Sequence, residues 1–170
     1  MKKSFLICVI LTAFFACSKD SDPEPVDNVK PEDKVKATEL QTFLQANKFS
    51  LTRYYSDSAI DYNDTDQVVK AETELWQYVS NWIKDDRYTF NSDGTVTIEQ
   101  NADRIQNDTS AILTRNYAVA ADEDGVGFKF IGHLYQDLNY RLITFSDTLI
   151  RVSATWNGKT VNSEYKVVPD

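Results

Sequence analysis

The chain has 170 residues, with 18 Lys and Arg against 26 Asp and Glu, one His and two Cys. That length holds one domain, and a 42% hydrophobic share with 12% aromatics suffices for a core. The net charge of −8 argues against nucleic-acid binding, which needs a basic face to displace counterions, and one His with two Cys leaves too few ligands for most zinc, cluster or disulfide frameworks.

Lys2 and Lys3 precede an apolar run, Phe5 to Ala16, that is too short to span a bilayer as a helix. The run ends in Phe14-Phe15-Ala16-Cys17 and turns polar at once with Ser18-Lys19-Asp20-Ser21-Asp22. A cysteine directly after an apolar run and one small residue resembles the lipobox of bacterial lipoproteins. Phe14 stands where Leu is commonest in that motif. The resemblance implies that residues 1–16 are a cleaved signal peptide. It also implies that Cys17 becomes the lipidated amino terminus, which anchors the chain to the outer membrane. Two or more acyl chains hold a protein on a bilayer where one holds it only marginally. Cys8 would leave with the signal and Cys17 would be consumed by lipid, which excludes a thiol enzyme and an internal disulfide.

Residues 17–36 read as the lipidated cysteine and a flexible acidic tether, kept extended by charge and by Pro23, Pro25 and Pro31. The Ser18 to Asp22 stretch resembles the Lys/acidic signal that exports some lipoproteins to the outer face. An ordinary acidic linker is the alternative.

The folded domain is expected over 37–170. Ala37 to Ala46 carries Leu40, Phe43 and Leu44 on one face and predicts a short helix. Lys48 to Asp57 predicts a first strand, and Ser58 to Lys70 a polar loop. Ala71 to Asp85 predicts a second helix, because Leu75, Val79 and Trp82 recur at helical spacing. The period then changes to two. Strands are expected at Arg87–Asn91, Thr95–Gln100, Ile112–Asp122, Val126–Leu134, Leu138–Phe145, Thr148–Trp156 and Lys159–Val168. Gly94, Gly125 and Gly158 mark turns between them, and Asn157-Gly158 is the strongest hairpin signal. Eight strands joined by short connections predict a mostly β fold, an antiparallel up-and-down barrel with one or two short helices. A two-sheet β-sandwich is the rival.

Trp82-Ile83-Lys84-Asp85-Asp86-Arg87-Tyr88-Thr89-Phe90, followed by Ser92-Asp93-Gly94-Thr95, resembles the Lys-Asp-Asp…Phe…Asp-Gly segment of bacterial lipocalin-like lipoproteins. Leu138-Asn139-Tyr140-Arg141-Leu142 and Ser146-Asp147-Thr148-Leu149 resemble that family's closing hairpin. Phe49 stands where members often have Trp. Trp82 stands where many have a Cys, so the family's disulfide is absent. The resemblance covers roughly residues 48–168 and implies a barrel, export and a lipid anchor. It implies no shared reaction.

Little in the chain speaks for catalysis. His133 has no Gly-x-Ser-x-Gly elbow to serve and reads as a polar strand-end residue. Asp61-Tyr62-Asn63-Asp64-Thr65-Asp66 resembles the start of a calcium loop, with Glu72 at the twelfth position, but the Gly of the sixth is missing. Asp61, Asn63 and Glu72 are therefore weak calcium candidates, and a solvated acidic loop is the alternative. Asp85 and Asp86 are adjacent carboxylates that could do acid–base work given convergent geometry. Since they would oppose a helix dipole at its C-terminus, they read as structural, binding turn amides or an Arg such as Arg87. Trp76, Trp82, Phe128, Phe130, Tyr140 and Trp156 could line a pocket at a barrel mouth, with core packing the alternative. The function expected is a non-catalytic, lipid-anchored envelope module, without cofactor, that binds a small apolar or glycan ligand. The alternative is a filled barrel that docks to another envelope protein.

Overall fold

The structure, a computed structural model, describes residues 28–60, 72–104, 110–133, 136–156 and 158–169. Helix α1 spans Pro31–Ala46, so it starts at Pro31 rather than at Ala37. Proline suits the first helical position, where no N–H bond is lost. Glu32 and Asp33 in the first turn complement the helix dipole. Leu40 and Leu44 are fully buried, with Ala37 and Phe43 beside them. The helix stops at Asn47, whose Nδ2 donates to the Phe43 carbonyl at 2.8 Å.

Nine strands follow: β1 (Lys48–Ile60), β2 (Glu72–Glu74), β3 (Arg87–Phe90), β4 (Thr95–Glu99), β5 (Ile112–Asp122), β6 (Gly125–His133), β7 (Gln136–Ser146), β8 (Leu149–Trp156) and β9 (Lys159–Val168). All but β2 form a closed antiparallel barrel in up-and-down order, sealed where β9 pairs with β1 from Lys48↔Val168 to Tyr55↔Asn162. Closure removes the edges that a sandwich would leave exposed. Register shifts between Leu51 and Arg53, Phe130 and His133, and Leu142 and Thr144 bend the strands into the curve.

The segment expected as a second helix over 71–85 is not one. It forms strand β2, a 3-10 turn at Trp76–Tyr78 and a one-turn helix α2 at Asn81–Lys84. Thr73, Trp76, Tyr78, Val79 and Trp82 are β-branched or aromatic and propagate a helix weakly. Glu74 meanwhile pairs with Tyr55 on the free side of β1. The apolar spacing is satisfied in another way. Leu75 joins a small cluster with Ile60 and Val161, and Val79 joins the main core.

This segment fills a gap in the wall. β1 touches β3 at Lys48↔Thr89 and Phe49↔Tyr88, then departs to pair with β2. The Ser50 hydroxyl donates to the Asp86 carbonyl at 2.8 Å and ties the end of the segment to β1. Helix α1 lies across β3, β5 and β6. It is pinned by Gln45 Nε2 donating to the Tyr117 hydroxyl at 3.0 Å. Tyr117 in turn donates to the Asn91 carbonyl at 3.0 Å.

The expected hairpin joins β8 to β9, with Trp156 paired to Lys159 and Gly158 at φ 72°; Asn157 lies outside the described residues. Gly127 serves a different need. A Cβ built there would lie 2.1 Å from the Tyr140 backbone oxygen on β7. Gly127→Ala must therefore push β6 from β7, at a cost of about 1–3 kcal/mol. A lowered urea midpoint with an unchanged slope would show it, and a midpoint equal to wild type would disprove the close approach.

Candidate functional site

Alternation along the strands decides which side chains enter the barrel. Tyr88 and Phe90 point inward from β3, Phe128 and Phe130 from β6, and Tyr165 from β9. The centre is an aromatic stack. Phe90 lies 4.9 Å from Tyr117, 5.7 Å from Phe128, 5.8 Å from Phe130 and 5.9 Å from Phe49, measured between ring centroids. The void among Leu44, Phe49, Phe90, Phe128 and their neighbours is about 10 Å³, room for one water at most. The middle of the barrel is therefore filled.

Space remains toward the end closed by the 75–86 segment. A partly open cavity of about 190 Å³ lies there. Its aromatic lining is Tyr54, Tyr78, Tyr88, Phe130, Tyr140 and Tyr165, with Leu51, Val79, Ile83 and Leu138 between the rings. Tyr88 stacks parallel to Phe130 at 6.2 Å, and Tyr165 stands edge-on to Tyr88 at 5.8 Å. Tyr140 stands edge-on to Phe130 at 5.7 Å. Two parallel rings and two perpendicular ones thus make a corner. The Tyr140 and Tyr165 hydroxyls share a hydrogen bond, and Ser163 hydrogen-bonds Tyr165. Burial pushes the phenols of Tyr88 and Tyr165 well above the ordinary tyrosine range and raises that of Tyr140, so all three are neutral donors.

Asp86 stands between two lining residues, Ile83 and Tyr88, and continues the buried alternation of β3. It is 3% exposed. Its Oδ1 has no hydrogen-bond partner among the described residues. Burial first, and the Asp85 charge second, push its carboxyl up to about 7. The Asp86 charge in turn helps to raise the Tyr88 phenol. Asp85 is held differently, its Oδ2 accepting the backbone N–H groups of Ala102 and Asp103 at 2.7 and 3.1 Å.

Of the six aromatics singled out from the sequence, Phe128, Phe130 and Tyr140 come together, with centroids 5.1–5.7 Å apart. Phe130 and Tyr140 line the cavity, while Phe128 faces the filled centre. Trp76 packs on the core from the 3-10 turn, with Lys84 Nζ 5.4 Å above its ring. Trp82 is half-buried on α2, and Trp156 ends β8. Tyr88, Tyr165 and Ser163 carry no signal of their own in the sequence, and Asp86 reads there as structural. The alternation Asp86, Tyr88, Phe90 and Ser163, Tyr165 was the signal that could have found them.

Asp61, Asn63 and Cys17 lie outside the described residues, and Glu72 begins β2. Among the described residues no three His, Cys, Asp or Glu side chains gather as metal ligands. His133 ends β6, paired with Gln136.

No protein-family model, curated protein or solved structure matches this chain. What stands is the architecture: an eight-stranded antiparallel barrel with an N-terminal helix, consistent with a lipocalin-like fold.

Proposed function

We propose that the protein is a non-catalytic binding module, carried on the cell envelope by lipid on Cys17, that holds one small molecule in the tyrosine-lined end of its barrel. The cavity of about 190 Å³ carries this reading. Drug-sized ligands need roughly 300–1,000 Å³, whereas a dry cavity of about 150 Å³ already takes a benzene-sized ring. The ligand is therefore small. Its apolar body would meet the rings, and a polar edge would meet the Ser163 and tyrosine hydroxyls.

The anchor rests on the sequence motif at Cys17, with the acidic, proline-bearing stretch after it as the tether. The second reading, a docking module without a ligand, draws on the filled centre, where the void is about 10 Å³.

Mass spectrometry of the protein extracted from its own host's membranes tests both parts. The denatured mass should show a chain beginning at Cys17 and carrying two or three acyl groups. The native mass should exceed it by one small molecule. An unacylated chain would remove the anchor, and a native mass with nothing retained would favour the docking module.

A further inference from the structure

The 190 Å³ cavity has a chemical bias that a plain apolar pocket lacks. Five of its six aromatic rings are tyrosines, whose electron-rich faces attract cations. Asp86 is outside that lining, but it precedes the lining Tyr88 by two residues, continues the same buried alternation, and its charge acts on the Tyr88 phenol. Folding has taken its carboxylate out of water without pairing its Oδ1 among the described residues. A buried carboxylate with one oxygen unpaired costs stability, and a cation placed next to it would offset that cost. The chain's net charge of −8 adds a favourable field for a positive ligand. We propose that the ligand is a small organic cation, an amine or quaternary ammonium group seated against Tyr88, Tyr140 and Tyr165 with Asp86 as its counter-charge. This deepens the reading of the cavity as a ligand site and rests on it.

The charged and titratable groups around Asp86 are known by element. Asp85 precedes it in the chain and Arg87 follows it at the exposed start of β3. Tyr88 lies on the same strand, and Tyr140 and Tyr165 reach the cavity from β7 and β9. The tyrosines stay neutral across the physiological range and Asp85 adds repulsion, so Asp86 is the group whose charge changes near neutrality. Cation binding should therefore strengthen as pH rises through about 7.

The test uses full-length protein in a neutral maltoside and two probes of equal shape, choline and its uncharged carbon analogue 3,3-dimethylbutan-1-ol. Calorimetric titration near pH 8 should show choline binding about tenfold tighter than the alcohol. The preference should shrink near pH 5.5, and to the same extent at pH 8 in Asp86→Asn, leaving what the tyrosine faces supply. The pH comparison needs no variant, so a poorly folding Asp86→Asn would not spoil it. Equal affinities at both pH values would overturn the cation and leave the ligand site standing. No binding of either probe would overturn both.

Discussion

Replacing Asp86 by Asn should make the barrel more stable at pH 8 and flatten its stability between about pH 4 and pH 7. The folded carboxyl is pushed from its ordinary value of 3.8 to about 7. In that window the folded chain holds a proton that the unfolded chain has released. The stabilisation is complete below 3.8 and is lost as pH rises through 7. At about 1.36 kcal/mol per unit, the difference between pH 4 and pH 8 is ~4 kcal/mol. Asn carries no charge, so the variant should hold its low-pH stability throughout. The groups with depressed values act in the other direction. Asp93 is held down by Thr95, Asp122 by Arg141 and Glu74 by Arg53, and their contributions are lost as pH falls below the ordinary carboxylate range. The two effects therefore separate along the pH axis. Urea unfolding at four pH values from 5 to 8 would measure this one. A variant whose curve runs parallel to wild type would show that Asp86 is not the source.

Phe90→Ala should cost about 3–5 kcal/mol, enough to unfold a domain of ordinary stability. Phe90 is 5% exposed and lies within 5.9 Å, centroid to centroid, of rings from β1, β5 and β6. Those rings stand on hydrogen-bonded strands of a closed barrel, which cannot collapse into the space left behind. The cost is lost burial plus an unfilled cavity. Trp82→Ala is the natural comparison. That ring is larger but half-buried and outside the main core, so its loss should cost less. Equilibrium denaturation of both variants gives the order. A Phe90→Ala cost under about 1 kcal/mol would mean that the centre is not packed and that ligand space extends through the barrel.

Much of this architecture was legible in the order of residues. From Arg87 onward, alternation and turn chemistry place the strands within a residue or two, and Ile112–Asp122 and Lys159–Val168 match their expected bounds. The reason is local. A strand with one buried face must alternate, and a two-residue hairpin needs residues that accept positive φ. Leu40, Phe43 and Leu44 likewise announced a helix, because that spacing fits one buried stripe.

Three features depended on the folded chain. Leu75, Val79 and Trp82 keep a helical spacing, yet two separate clusters and a gap between β1 and β3 absorb them without a helix. Burial at a distance outweighed a weak local preference. Closure through β1 and β9 joins strands from the two ends of the domain, and no short-range pattern encodes such a pairing. The cavity is the difference between the space the barrel encloses and the volume of side chains from many strands. Alternation shows that Tyr88, Phe90, Phe130 and Tyr165 all point inward. Only their packing in three dimensions leaves the centre full, opens a small space among the tyrosines, and buries Asp86, two residues before the lining Tyr88, with no partner for its Oδ1 among the described residues.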